Sequence, residues 1–441
     1  MRVLVVTQKE VLNGVGGAIT MFKNFCSFLQ DSFEVKGICY APNSSIESKD
    51  IIDNIYFSCN KASYADCLNT YIDKFKPNLI VFFYNFLLFE ADFTNRPDIQ
   101  NIPKILMFHS RPDFYFAYFK DSETRLKQQY QNVVSQILYD EYWDLLPNFI
   151  KQNRVVSIPN FVSNHEYRAD LTQEKKKIVF FSRIDCWKGL EFLIDSATIF
   201  LKDNDWTLDI YGDCPDALYK ECLENRIKKN NLINRVVLKG CVSNAFETLI
   251  KYDFYVSASM FEGQCMSALE SMSVGLPCVV LNSCSGLNIQ VTNGITGFVA
   301  KNSIEDFASC VKKLINSQEL RLDMSKNALK ESGKYSKTIV CNYWKQTITE
   351  ILSNASVLSN SVNVSMSQGY REKILDIDKI IALDQQHSIE MKEYAAKKYP
   401  QKKNNKFLES IFSLKKNHTT GDKVLTVLGI KKVISNAEHK S

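Results

Sequence analysis

Short apolar runs alternate with amphipathic segments along most of the chain. The first run, Arg2–Thr7, is followed by a polar, glycine-bearing loop over Gln8–Gly17, and the next segment repeats apolar residues close to the 3.6-residue helical period. Those apolar residues are Ile19, Phe22, Cys26 and Leu29. Further strands are predicted over Val35–Cys39, Leu79–Tyr84, Ile105–Phe108 and Val133–Val134. Strands that alternate with helices predict βαβ units and a parallel sheet.

A second alternating series follows a break in this pattern. The segment Val155–Val162 contains Pro159, which has no N–H for a sheet and ends a strand, and the sequence then stays polar and lysine-rich to Lys177. The second series predicts strands over Ile178–Phe181, Thr207–Tyr211, Val236–Lys239, Phe254–Ser257, Cys278–Leu281 and Phe298–Ala300. Helices such as Gly189–Leu201 separate them. We therefore predict two doubly wound α/β domains, residues 1–161 and 162–335.

The C-terminal part of the chain has a different character. A last helix is predicted over Ser336–Leu352, and Ser353–Ser367 has the composition of a linker. Residues 397–432 hold 10 Lys or Arg against 2 Asp or Glu. Apolar residues of the tail recur at helical spacing: Ile374, Ile377 and Ile381, then Phe407, Leu408, Ile411 and Phe412, then Val424 and Leu428 beside Lys431 and Lys432. Such a helical, basic tail suits the surface of an anionic membrane, and it equally suits a solvated tail or helices packed on the body or on a second copy.

Composition and charge exclude several classes of protein. The 441 residues are 45% hydrophobic and 23% charged, as in a globular protein. The net charge of +5 divides into +6 from residue 371 onward and −1 before it, and a neutral body argues against nucleic-acid binding. No apolar run approaches the ~18–20 residues that span a bilayer. The N-terminus reads as a first strand and not as a signal peptide, so we expect a cytoplasmic protein.

Cysteine and histidine usage fits the same compartment. The 13 cysteines include no C-x-x-C pair and are odd in number, which favours reduced thiols over a disulfide framework. None of the 5 histidines is paired at a metal-binding spacing, so the sequence predicts no metal site.

Two cations stand at the end of the first strand of the second series. Arg183 follows Ile178–Phe181, and Lys188 comes directly before the helix that begins near Gly189. Ligands of doubly wound sheets bind at the carboxyl ends of strands, and a helix N-terminus attracts anions. This pair predicts an anion site, and the alternative is two solvated surface cations.

Two glutamates stand eight residues apart across a predicted junction between strand and helix. Glu262 lies in the loop after Phe254–Ser257, and Glu270 lies inside the following helix. A carboxylate accepts hydrogen bonds from two neighbouring hydroxyls, as ribose and sugars offer, and the N–H groups of Gln264 to Ser267 can donate to an anion. The alternative is two exposed glutamates near a helix end.

The glycines carry weaker signals. Gly212 directly follows a predicted strand and could admit a nucleotide close to the backbone, although most such glycines only make a turn. The loop containing Gly14, Gly16 and Gly17 suggests a dinucleotide-binding loop but lacks the G-x-G-x-x-G spacing, which argues against an NAD-dependent oxidoreductase.

In this order and spacing the features resemble the family 4 retaining glycosyltransferases, which have the GT-B fold. The resemblance is close from Ile178 to about Ala300 and rests on the E-x7-E segment with the glycines and Pro277 that follow it. The N-terminal half matches more loosely through Gly16, Gly17 and His109. The helix with Trp344 corresponds to one that crosses back onto the first domain in this family, so residues 336–352 would complete that domain. Residues 353–441 have no counterpart.

The resemblance implies two Rossmann-like domains facing a central cleft and a role for each matched residue. Arg183 and Lys188 would hold the diphosphate of a nucleotide-sugar donor, for example a UDP-sugar, and Glu270 would hold its ribose. Glu262 and His109 would act at the donor sugar as the catalytic residues. The other donor-binding positions are Gly16, Gly17, Gly212, Gln264, Cys265 and Met266. Gln264-Cys265-Met266 replaces the family's usual Phe-Gly-Leu type of sequence, and Ser182 replaces a glycine, so the resemblance does not identify the donor sugar.

The expected function is therefore a metal-independent, retaining transfer of a hexosyl-type sugar from a nucleotide-diphosphate sugar. No cofactor is expected, because the D-x-D of Asp376 to Asp378 lies in the tail and not after a core strand. A glycan or lipid-linked acceptor in capsule, lipopolysaccharide or other surface polysaccharide synthesis is implied by the family. The chain would then be cytoplasmic and peripheral at the plasma membrane. A non-catalytic GT-B-like binding or scaffold protein, and an epimerase or phosphorylase on the same fold, remain the alternatives.

Overall fold

The computed structural model describes most of the chain. The described residues are 1–8, 17–40, 55–58, 64–84, 86–89, 91, 93, 95–118, 122–353, 386, 389–391, 393, 412–416, 423–427 and 430–435. They form two parallel sheets with helices on their faces and one small antiparallel sheet near the C-terminus.

The first sheet has seven parallel strands in the order β3-β2-β1-β4-β5-β6-β7. Their bounds are β1 Arg2–Gln8, β2 Glu34–Tyr40, β3 Ile55–Ser58, β4 Leu79–Phe82, β5 Lys104–Met107, β6 Val133–Ile137 and β7 Val155–Ser157. The central strands are buried on both faces, which is why they read as continuous apolar runs. The sequence prediction missed β3, a four-residue strand inside an otherwise polar stretch.

The second sheet has six parallel strands in the order β10-β9-β8-β11-β12-β13. Their bounds are β8 Lys177–Phe181, β9 Thr207–Tyr211, β10 Val236–Gly240, β11 Phe254–Ser257, β12 Cys278–Leu281 and β13 Gly297–Ala300. All six predicted strands are present, three of them with the predicted ends. In both sheets the chain order reverses beside the first strand, so both are doubly wound.

Helices connect the strands and cover both faces of each sheet. The α-helices are Gly17–Gln30, Tyr64–Phe75, Phe86–Phe89, Pro97–Gln100, Pro112–Tyr118, Ser122–Gln129, Asn148–Lys151, Leu190–Phe200, Ala217–Lys229, Ala245–Leu249, Met266–Ser273, Ser285–Gln290, Ile304–Asn316, Gln318–Ser332 and Lys337–Ser353, and the 3-10 helices are Asp140–Leu145, Cys186–Lys188 and Gly333–Tyr335. Among the described helices none combines the length and the apolar character that a membrane crossing needs.

The last long helix, Lys337–Ser353, packs on the first sheet although it follows the second in sequence. Trp344 is 2% exposed and lies edge-to-face with Phe25, with ring centroids 5.1 Å apart. Arg154 and Glu350 form a salt bridge of 2.6 Å between the same two parts. The chain therefore crosses between the sheets twice, and the two crossings touch where the Val162 N–H donates to the Tyr335 carbonyl oxygen.

The tail differs from the helical prediction over its last described part. Residues Phe412–Lys416, Lys423–Val427 and Ile430–Ser435 form a three-stranded antiparallel sheet, so Val424, Lys431 and Lys432 lie on strands and not on a helix. Val427 pairs with Ile430, which leaves a two-residue connection that includes a glycine in the sequence. The segments Lys423–Val427 and Ile430–Ser435 are rich in β-branched residues, which favour strands over helices, and hairpin pairing overrides the weak helical spacing. The predicted helical positions Ile374, Ile377, Ile381, Phe407, Leu408, Ile411 and Leu428 lie outside the described residues.

Candidate active site

The carboxyl edges of the two large sheets face each other, and Lys188, Glu262 and His109 lie along this crevice. Loops after β8 and β11 carry Lys188 and Glu262, and the loop after β5 carries His109. Gly263 lies directly against the first domain: a Cβ added to Gly263 would lie 2.5 Å from the Ser110 Cα and 2.7 Å from the His109 carbonyl oxygen. The structure therefore brings residues from three separate loops into one place.

Lys188 and Glu262 form an ion pair at the floor of the crevice. The Lys188 Nζ lies 2.7 Å from the Glu262 Oε1, and the two side chains are 12% and 13% exposed. Burial disfavours the ammonium, but the carboxylates of Glu262 and Asp185 outweigh burial and hold the pKa of Lys188 above its ordinary value. Lys188 therefore stays charged and retains two further N–H donors for an anionic ligand.

The position of Lys188 depends on the glycine after it. Gly189 has φ +61°, and a Cβ at this residue would lie 2.2 Å from the Ala258 carbonyl oxygen. Only glycine takes the left-handed conformation without cost and also allows this close approach. The 3-10 helix Cys186–Lys188 is thus pressed against the end of β11, which is the arrangement that brings Lys188 to Glu262.

Arg183 lies at the outer rim of the same crevice. Its side chain is 69% exposed, and its Nε donates to the Asp185 Oδ2 at 2.9 Å. The other Asp185 oxygen accepts from the Trp187 N–H at 3.1 Å and so caps the 3-10 helix. Most of the Arg183 guanidinium is open to a ligand, as an anion site requires.

Glu270 is a carboxylate without a hydrogen-bond or ion-pair partner among the described residues. It lies in the helix Met266–Ser273, one turn beyond the helix start, and burial raises its pKa to about 7. A buried carboxylate normally has donors around it. A ligand with neighbouring hydroxyl groups would supply the hydrogen-bond donors that the Glu270 carboxylate lacks.

His109 is a neutral, enclosed imidazole. Burial lowers its pKa to about 4, although hydrogen bonds with the Asn160 side chain and the Phe83 backbone oppose the shift. Its ring packs 4.3 Å from the Phe83 ring, measured between centroids. The Nε2 atom is buried with no hydrogen-bond partner in the described part of the chain, which leaves one ring nitrogen for a ligand.

The side chains of Gln264 and Cys265 face the protein interior, not the crevice. The Gln264 amide accepts from the Asn160 N–H at 2.7 Å and donates to the Asn160 carbonyl at 3.2 Å. Cys265 is 2% exposed, and its N–H donates to the Gln290 Oε1 at 2.8 Å. The expectation that the N–H groups from Gln264 to Ser267 are all free is therefore wrong for Cys265, because Gln290 takes that donor.

The remaining predicted donor positions are placed as follows. Met266 is the first residue of its helix and packs against the core of the first domain. Gly212 has φ +153°, and a Cβ at this residue would lie 1.8 Å from the Ser182 carbonyl oxygen, so a glycine is needed here for packing. Gly17 begins the helix Gly17–Gln30, and Gly16 lies outside the described residues.

Aromatic side chains close the crevice on one side, and the sequence analysis did not identify them. The Phe114 ring lies 4.8 Å from the Phe261 ring and 6.4 Å from the Trp187 ring, and the Arg111 guanidinium lies 5.7 Å from the Phe261 centroid. Phe114 and Arg111 belong to the first domain, whereas Phe261 and Trp187 flank Glu262 and Lys188. No motif could have found these contacts, because they join residues far apart in sequence.

No group of three or more His, Cys, Asp or Glu side chains that could hold a metal ion occurs within the described ranges. Asp376 and Asp378 lie outside those ranges.

The second domain matches a known protein family. Residues 164–331 match the family model described as "Glycosyl transferases group 1". The chain is also 27% identical over 57% of its length to the poly(ribitol-phosphate) alpha-N-acetylglucosaminyltransferase of Staphylococcus aureus, covering 51% of that protein. It is 34% identical over 41% of its length to a UDP-Gal:alpha-D-GlcNAc-diphosphoundecaprenol alpha-1,3-galactosyltransferase of Escherichia coli, covering 49%. The chain thus spans about half the length of these curated relatives.

Solved structures match a larger part of the chain. A sucrose-phosphate synthase from Thermosynechococcus elongatus aligns with a TM-score of 0.67 and 14% identity over 80% of this chain and 99% of its own. The Anabaena protein HepE, solved with UDP and glucose, aligns with a TM-score of 0.66 and 15% identity over 79% of this chain and all of its own. These likenesses confirm the GT-B fold expected from the sequence.

Proposed function

We propose, from the match of residues 164–331 to the glycosyl transferases group 1 family, that the chain transfers a sugar from a nucleotide-diphosphate sugar to a glycan or lipid-linked acceptor. The observation that carries the proposal is the arrangement around Glu270. Glu270, a partly buried carboxylate without a described partner, lies in the helix that follows the Glu262 loop, and the Lys188–Glu262 ion pair and the exposed Arg183 guanidinium lie on the loops after the neighbouring strands β8 and β11. This combination has acceptors for ribose hydroxyls and cations for a diphosphate.

The two cations would stabilise the departing diphosphate. Breaking the bond between sugar and diphosphate places negative charge on the leaving group, and fixed positive charges there lower the barrier. Arg183 at the rim and Lys188 at the floor would bracket the diphosphate. In this proposal the two cations compensate the charge of the diphosphate, and no metal ion is required.

Glu262 and His109 would act at the donor sugar. Glu262 keeps one carboxylate oxygen on Lys188, which leaves the other to accept from a sugar hydroxyl. The buried, unpartnered Nε2 of a neutral His109 would hydrogen-bond near the sugar ring from the opposite wall. Retention at the anomeric carbon and a hexose as the sugar are part of the proposal and follow the family resemblance.

The closed crevice would protect the reacting sugar from water. The contacts of Phe114 with Phe261 and Trp187 cover the side next to Lys188 and Glu262. Water exclusion strengthens electrostatic stabilisation and limits hydrolysis of the donor.

The acceptor is proposed from the printed names of relatives. They include transferases that act on poly(ribitol-phosphate), poly(glycerol-phosphate) and diphosphoundecaprenol-linked sugars. A surface-glycan acceptor of this kind, on a polymer or a lipid carrier, would place the chain at the inner face of a membrane, with the basic tail as its contact.

Separating binding from turnover tests the assigned roles. Glu270→Ala should weaken the affinity for free nucleoside diphosphate, because the ribose contact is lost. Glu262→Ala and His109→Ala should keep that affinity and lose turnover, since both residues face the sugar. An equal loss of nucleotide affinity in all three variants would contradict this division of roles.

A further inference from the structure

Tyr142 of the first domain contacts the backbone beside a predicted catalytic residue of the second. It lies in the 3-10 helix Asp140–Leu145 after β6 and is fully buried. Its hydroxyl donates to the Gly263 carbonyl oxygen at 2.6 Å, and the Glu262 carbonyl oxygen lies 3.5 Å away. Burial raises the pKa of Tyr142 well above its ordinary value, so the phenol remains a donor at any working pH.

The Glu262–Gly263 peptide is enclosed from two further sides. On one side Gly263 meets the backbone of His109 and Ser110, where a Cβ would lie 2.5 Å from the Ser110 Cα. On the other side lies Gly286, where a Cβ would lie 2.5 Å from the Glu262 carbonyl oxygen. Only glycines allow the backbone to fit this closely, so a small shift of the loop would displace the Glu262 side chain.

Gln264 ties the next residue of the same loop to the crossing between the domains. Its side-chain amide makes both hydrogen bonds with the Asn160 backbone and is 6% exposed. Gln264 restrains the loop at the crossing, and Tyr142 restrains it directly beside Glu262. Of these two polar contacts from residues 1–161, only the Tyr142 contact comes from the wall of the crevice.

We propose that Tyr142 is a positioning residue: its hydroxyl fixes the Glu262–Gly263 peptide when the two domains close, and so sets the Glu262 carboxylate against the donor sugar. This inference rests on the proposed transferase function. It makes the first domain a part of the donor-side chemistry, through the hydrogen bond from the Tyr142 hydroxyl to the Gly263 carbonyl oxygen.

The test compares Tyr142→Phe with Tyr139→Phe in the full-length chain. Tyr139 is also buried, packs 5.5 Å from Tyr142 between ring centroids, and has a buried hydroxyl without a partner in the described structure. Both variants lose one buried hydroxyl, but only Tyr142→Phe loses the contact with the loop. A net hydrogen bond of about 0.5–1.5 kcal/mol predicts a fall in kcat of up to about tenfold for Tyr142→Phe.

We expect Tyr142→Phe to lower kcat while the Kd of free uridine diphosphate stays within about twofold, and Tyr139→Phe to change neither. Equal kcat values for the two variants would overturn the inference. So would a parallel loss of uridine diphosphate affinity in Tyr142→Phe, because that would indicate a general structural role. A wild-type chain without transfer activity would contradict the proposed function itself. An active wild-type chain with an unchanged kcat for Tyr142→Phe would contradict this inference alone.

Discussion

The Lys188 ammonium and the Glu262 carboxylate lie 2.7 Å apart, and both side chains are nearly nine-tenths buried. They come from loops after two neighbouring strands, β8 and β11. Each is therefore the main counter-charge of the other, and each is also assigned to a different part of the donor. In the proposed function, one contact would thus contribute both to stability and to catalysis.

Removing one partner of this pair should cost stability as well as activity. Lys188→Met leaves Glu262 buried without its counter-charge, and we expect the free energy of unfolding to fall by about 3 kcal/mol. The double variant Lys188→Met/Glu262→Gln should recover most of that loss while remaining inactive, because no unpaired charge is left. Urea unfolding measures the free energy of unfolding of the single and the double variant. A double variant as unstable as the single one would show that the charge pair does not account for the loss.

Glu270 should make nucleotide affinity depend on pH. Burial raises its pKa to about 7 in the free protein, and ribose hydroxyls donate to the ionised form. Binding therefore improves as pH rises from about 5.5 towards 8, by up to about tenfold per pH unit below the pKa. Isothermal titration calorimetry measures the affinity for uridine diphosphate at each pH. The Glu270→Gln variant shows how much of the pH dependence comes from protonation of the phosphate of the nucleotide. Identical pH profiles for the two proteins would contradict the assignment.

The raised pKa of Glu270 also predicts how the stability of the chain changes with pH. Because the folded-state pKa of Glu270 is raised above its unfolded value, its contribution to stability is full below pH ~4.5 and is lost as pH rises through about 7. Glu270→Gln should thus stabilise the chain at pH 8 relative to wild type and have less effect at pH 5. Thermal unfolding at the two pH values checks this, and destabilisation at pH 8 would contradict it.

Gly189 should tolerate no side chain. Gly189→Ala forces alanine into φ +61° against the Ala258 carbonyl, and the left-handed conformation alone costs about 1–2 kcal/mol. We expect lower stability and, because Lys188 is displaced, weaker nucleotide binding. The matched control is Gly333→Ala, at φ −58° with open space around the new Cβ, which should change stability by less than about 0.5 kcal/mol. Equal effects at the two sites would be inconsistent with this account.

The basic tail should bind anionic membranes. Truncation after Leu352 removes the lysine-rich residues 397–432 and the three-stranded sheet, but leaves both large sheets and Trp344 in place. Each lysine near an anionic surface adds about 1 kcal/mol at low salt. Full-length protein should float with vesicles containing phosphatidylglycerol at low salt and not at high salt, and the truncated protein should not float at all. Equal flotation of the two proteins would show that the tail is not the membrane contact.

How much the sequence could predict differs between parts of the molecule. The strands β11 and β12 of the second sheet are predicted closely because they are buried on both faces and form uninterrupted apolar runs between turn residues. β3 was missed because four residues in polar surroundings carry little periodicity. The sequence predicts helical spacing in the tail, but hairpin pairing places Phe412–Lys416, Lys423–Val427 and Ile430–Ser435 in a sheet.

The residues of the candidate site also divide into those that a local sequence pattern reveals and those that only the fold brings together. Arg183 with Lys188 and Glu262 with Glu270 form two local patterns, so sequence reasoning could find them. Tyr142 and Gly286 meet the Glu262–Gly263 peptide from distant parts of the chain, and neither lies in a motif. Gln264 was assigned to the donor by its place in the motif, whereas its buried amide bonds to Asn160, which only the folded arrangement reveals.

The most direct test of the central claim is the release of nucleoside diphosphate from a panel of nucleotide sugars, with and without a glycan or lipid-linked acceptor. The proposed transferase activity predicts acceptor-dependent release from at least one donor. It also predicts a fall of about 10²–10³ in this rate for Arg183→Ala, whose exposed side chain makes little contribution to folding. The contradicting result is the absence of acceptor-dependent release from every donor, or a rate for Arg183→Ala equal to that of the wild type.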